Sequence, residues 1–111
     1  MSLSDLQIEI HREAVKHGWW DPTDPTERNF GELIALCHSE LSEALEAWRE
    51  GDTVFYLGDE GKPEGWGIEL ADALIRILDI CQALGVNAEE MIRFKMHFNE
   101  GRPYRHGGKA I

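Results

Sequence analysis

The sequence predicts an all-α domain with a four-helix core, and three observations carry that expectation. Apolar residues recur at helical spacing in four segments, capping residues bound those segments, and no stretch shows the alternation of a half-buried strand. The 111 residues, 42% of them hydrophobic, fit one domain spanning 1–111 with an irregular basic tail over 102–111. A domain of this size is only modestly stable alone, so a homo-oligomer is expected.

The first helix covers residues 3 to 17, where Leu3, Leu6, Ile8, Ile10, Ala14 and Val15 alternate with charges between a serine cap (Ser2 or Ser4) and Gly18. Residues 19 to 27 carry two prolines and form a loop, in which Trp19 and Trp20 either bury against the core or stack on a base. Asn29 with Glu32 has capping-box spacing and opens a second helix from Phe30 to Glu50. A connection rich in glycine follows to Gly67, with one short turn possible at Val54 to Leu57. The third helix runs from about Trp66 to Leu84 and stops at Gly85; Asn87 and Glu90 open the fourth, which Gly101 ends.

Charge and composition exclude several functions. With 21 acidic against 11 basic side chains, the formal charge is −10, which disfavours binding to a nucleic acid polymer. No signal-peptide pattern and no apolar run of membrane length is present, so a cytoplasmic protein without a membrane partner is expected. Cys37 and Cys81 lie within apolar helical patterns and read as core residues.

The carboxylates are placed differently from ordinary surface acids. Glu40 borders the apolar stripe formed by Leu33, Cys37, Leu41, Ala44, Leu45 and Trp48. Glu43 follows three residues later, about 60° round and about 4.5 Å along the axis, so both can reach one cation. On the third helix, apolar residues cover most of the circumference, which predicts burial on most sides. Glu69, Asp72, Arg76 and Asp79 fall within a strip about 80° wide. Arg76 offsets only part of that charge, and buried carboxylates are costly without a compensating cation. If the two acidic faces oppose each other, Glu40, Glu43, Glu69 and Asp72 converge on a hard cation; Mg²⁺ is expected, with Mn²⁺ as a substitute. Neither pair has His at ligand spacing, which argues against zinc.

Glu40-x-x-Glu43 followed by Glu69-x-x-Asp72 resembles the metal-binding signature of the MazG-like, all-α nucleoside triphosphate pyrophosphatase superfamily. Residues 27 to 50 and Gly67 to Asp79 are similar to its two helical blocks, and the ending from Lys95 to Lys109 to the tail of small single-domain, phage-type members. One position departs: the superfamily often has a second acid before Glu40, where this chain has Ser39, which is not counted as a ligand.

The resemblance implies hydrolysis between the α and β phosphates, giving a nucleoside monophosphate and pyrophosphate, in a homodimer or homotetramer. Glu43 or Glu40 is then the candidate catalytic base. Lys95, Arg102, Arg105 and Lys109 become candidate phosphate contacts, with Asn99 adding hydrogen bonds and Arg76 balancing or orienting the carboxylates. Trp20, His17, Asn29, Phe30 and His38 are candidates for the base. A non-catalytic helical metal-binding or assembly module, and a narrow-specificity dUTP or phosphoribosyl-ATP hydrolase, remain as alternatives.

Overall fold

A computed structural model, describing residues 1–21 and 28–102, places α1 at Leu3–Lys16, α2 at Phe30–Arg49, α3 at Trp66–Ala83 and α4 at Ala88–Glu100. Their starts follow from local chemistry. The Ser2 hydroxyl accepts the Asp5 N–H at 3.1 Å while the Asp5 carboxylate accepts the Ser2 N–H at 3.2 Å, a complete capping box. Asn29 and Asn87 use their side-chain oxygens in the same way, accepting from the N–H groups of Glu32 at 3.1 Å and Glu90 at 3.0 Å.

The connection between α2 and α3 is more ordered than expected. It is a small hairpin in which β1 (Tyr56–Leu57) pairs antiparallel with β2 (Pro63–Glu64) around a 3₁₀ turn at Asp59–Gly61. Strands of two residues leave no periodic trace in a sequence, which is why only a connection was expected. Its base is tied to α3, because the N–H groups of Trp66 and Gly67 donate to the carbonyls of Thr53 and Val54 at 3.1 and 2.9 Å. These bonds satisfy donors that a helix start otherwise leaves unpaired. The approach requires glycine: Gly65 has φ +118°, and a Cβ there would sit 2.6 Å from the Val54 carbonyl oxygen.

Helix α3 packs against both α2 and α1, and α4 packs on α1. Trp20, Leu33, Cys37 and Ile80 form the buried centre, with Ala14, Val15 and Ala83 against it. Polar links fix the register of α1 on α3. Asp79 holds His11 Nδ1 at 2.7 Å with one oxygen and accepts the Trp20 indole N–H at 2.7 Å with the other. Gln7, also buried, donates to the Gln82 side chain at 2.9 Å and the Val86 carbonyl at 2.8 Å, and accepts the Ala88 N–H.

Burial of α3 on most sides is not found within one chain. Ala73, Leu78 and Ile80 are buried, but Leu74 is 59% exposed and Leu70 and Ile77 are also exposed. On α2 the expected stripe divides: Leu33, Cys37 and Ala44 are buried while Leu41, Leu45 and Trp48 are exposed. Two flanking helices cannot cover the full circumference of a third. Among the described residues no helix is long and apolar enough to cross a membrane.

The hairpin base gives a direct test of this local account. Gly65→Ala should destabilise the chain by about 2 kcal/mol or more, since it adds both a steric clash and a left-handed residue. Gly18→Ala, at φ +85° with open space around it, should cost only about 1 kcal/mol. Urea denaturation of both variants checks the order; equal losses would contradict it.

Candidate metal centre and adjoining cavity

The antiparallel crossing of α2 and α3 sets Glu40 opposite Arg76 and Glu43 opposite Glu69. Glu40, Glu43 and Glu69 each present an oxygen within 4.8 Å of the others. Oxygens bound to one Mg²⁺ at about 2.1 Å lie roughly 3 to 4 Å apart, so small side-chain rotations would bring this trio onto a hard cation. Glu40 and Glu69 are half-buried and Glu43 is exposed. Asp72, one turn beyond Glu69, stands outside that trio but feels the charge of Glu40.

The electrostatics show acid in excess. Burial pushes the Glu69 carboxyl above its ordinary value, followed by the charges of Asp72 and Glu43, a hydrogen bond with Glu43, and the charge of Glu40. Asp72 is also raised, chiefly by burial and then by Glu40, while the cations of Arg76 and Lys62 pull it down. Arg76 reaches Glu40 Oε1 with Nη2 at 3.1 Å, and its buried Nε has no hydrogen-bond partner among the described residues. An unmet buried N–H costs about 1–3 kcal/mol.

Beside the carboxylates lies a cavity of about 420 Å³. Its polar wall includes Glu40, Asp72 and Arg76; His17 and Trp19, just after α1, and Arg28, just before α2, also line it. Asp79 also borders it, yet both its oxygens are engaged by His11 and Trp20, so its place on the charged strip of α3 has a structural use.

The structure places the other candidate residues as follows. Trp20 is 4% exposed and belongs to the core, with Arg28 stacked 4.9 Å above its ring, so it presents no open face to a base. Its neighbour Trp19 is the tryptophan on the cavity wall. Lys95 and Asn99 lie exposed on α4, which packs on α1, and Lys95 borders a separate apolar hollow with Met91, Phe94 and Phe98. The Lys95 and Arg102 cations sit 4.9 and 5.1 Å from the Phe98 ring. Asn29 is committed as the cap of α2. Phe30 and His38 are exposed and do not line the cavity, whereas His17 does. Arg105 and Lys109 lie outside the described residues. Lys62 and Arg28 escaped notice because both sit in connections, where no helical periodicity relates them to the acids.

Comparison of the chain with protein families, with curated proteins and with solved structures finds no match in any of the three.

Because Glu69 and Asp72 are both raised, the folded state holds their protons more tightly than the unfolded chain does. The stability they contribute is complete at low pH and falls as pH rises from the ordinary carboxylate range through their raised values. A cation competing for the same oxygens should reverse that loss. Melting in Mg²⁺ and in EDTA should therefore show a Mg²⁺ gain that is small in mild acid and grows toward neutral pH. A gain that shrinks over that range would contradict the assignment.

Proposed function

We propose that this chain is a Mg²⁺-dependent nucleoside triphosphate pyrophosphohydrolase of the MazG-like, all-α kind, cleaving between the α and β phosphates. The observation that carries the reading is the convergence of Glu40, Glu43 and Glu69, with Asp72 alongside, next to a cavity of about 420 Å³ whose wall includes Glu40 and Asp72. These four residues would hold the cation, with Mn²⁺ able to replace Mg²⁺. When bound, the ion supplies neutralisation of phosphate oxygens and a lowered pKa for the attacking water.

The remaining chemistry falls to the chain's own groups. Water attacks the α phosphorus, the bond to the bridging oxygen breaks, and the monophosphate and pyrophosphate separate. Glu40 is held by Arg76, which leaves Glu43, facing solvent, as the favoured acceptor of the water's proton. Trp19, on the cavity wall, is the aromatic side chain available to the nucleoside.

A second copy of the chain suits the bared apolar residues Leu41, Leu45, Trp48, Leu70 and Leu74, in keeping with the homodimer or homotetramer that the resemblance implies. The free thiols of Cys37 and Cys81 fit a reducing, cytoplasmic setting.

A panel of common and modified triphosphates, with products separated by chromatography, tests the reading. Pyrophosphate and a monophosphate should appear with Mg²⁺ and vanish with EDTA, and light scattering should give a multiple of 12.6 kDa. Glu43→Gln and Asp72→Asn should each lower kcat by about a hundredfold or more while helical circular dichroism stays intact. No turnover of any triphosphate, with Mg²⁺ still stabilising the fold, would leave a non-catalytic metal-binding module instead.

A further inference from the structure

The wall of the cavity follows α3 from Asp72 past Arg76 to Asp79, two helical turns and about 10 Å along the axis. Glu40 and Asp72, both proposed cation ligands, mark one end of that run, where Arg76 bonds Glu40. At the other end Asp79 holds His11 of α1 with one oxygen and the Trp20 indole with the other.

Arg28 is fastened at the Asp79 end. Its guanidinium carbon lies 4.9 Å from the centre of the Trp20 ring, and its Nη1 donates to the Trp19 carbonyl at 3.4 Å. Both Arg28 and Trp19 line the cavity, as do Ile10 and Ala14, which lie close to His11 on α1. Among the described residues Arg28 makes no ion pair, whereas Arg76 is committed to Glu40.

An aromatic ring, apolar side chains and one held guanidinium suit a base better than a strongly hydrated phosphate chain. With phosphate at the Glu40 and Asp72 end, the sugar carries the base toward Trp19 and Arg28. The bond to Trp19 uses one N–H of a guanidinium that has several, arranged as a planar fork. Such a fork matches two adjacent acceptors. Guanine presents O6 and N7 together on one edge, whereas adenine and cytosine put an amino donor there and thymine a single carbonyl.

We infer that Arg28 reads the O6 and N7 edge of guanine, which makes guanosine triphosphates, ribo or deoxy, the preferred substrates. The inference rests on the pyrophosphohydrolase reading and adds to it a base preference and the residue that sets it.

Steady-state turnover by the full chain with Mg²⁺ tests it on the triphosphates of guanosine, inosine, 7-deazaguanosine and adenosine. Guanosine and inosine, which share O6 and N7, should show a kcat/KM about tenfold above that of adenosine, which replaces O6 by an amino group. The 7-deaza compound, which lacks N7, should fall between. Arg28→Met should remove these differences, and so should Arg28→Lys, which keeps a cation beside Trp20 without the fork. This series on the unaltered chain needs no variant, and the lysine variant guards against loss of the Trp20 contact in Arg28→Met. Guanosine and adenosine turned over alike by the unaltered chain, or a guanosine preference kept in Arg28→Lys, overturns the inference and leaves the hydrolase reading in place. An equal loss for every triphosphate in both variants would make Arg28 a phosphate contact or a structural residue and overturns it too. No turnover of any triphosphate by the unaltered chain defeats the hydrolase reading itself, and this inference with it.

Discussion

Like charge gathered at a half-buried seam is the constraint on which the rest of this structure turns. Glu40, Glu43 and Glu69 meet within 4.8 Å, Asp72 stands beside them, and the first compensation is the Arg76 guanidinium on Glu40. Such an arrangement opposes folding, because the half-buried carboxylates lose water and each gains a repulsive neighbour. The upward shifts of Glu69 and Asp72 express that cost. A fold that keeps the seam closed must stabilise it from elsewhere, and a hard cation at the seam would remove the cost directly.

The surrounding architecture supplies that support from both ends. At one end, the Thr53 and Val54 carbonyls close the hairpin onto the start of α3, through an approach that glycine at 65 permits. At the other, Asp79 spends both oxygens on His11 and Trp20, fixing α1 against α3. The acids in between are held on two helices with little freedom to separate. Rigid placement of this kind is what a binding or catalytic constellation requires, since ligands held in advance lose less entropy on capture.

How much was legible in the sequence depended on the range of the interaction. Helix starts at Ser2, Asn29 and Asn87 could be read because caps act over three residues, and the Glu-x-x-Glu and Glu-x-x-Asp pairs because helical geometry alone puts three-residue neighbours together. Trp19 and Trp20 could not be told apart, since one residue's difference in a loop decides which ring enters the core. The hairpin and Lys62 left no periodic signal. Periodicity also identified Leu70, Leu74 and Ile77 as apolar without saying what covers them, and one chain leaves them bare. Lys95 and Asn99 were grouped with the acids by resemblance, and the helix that carries them packs on α1.

Whether a hard cation is held where α2 and α3 cross, as proposed above, is tested most directly by Mn²⁺ added at low stoichiometry to isotope-labelled protein. Paramagnetic broadening of amide resonances should centre on residues 40–43 and 69–72 and spare the equally acidic start of α4 at Glu89 and Glu90. Broadening spread evenly over the acidic surface, or strongest at α4, would contradict the account.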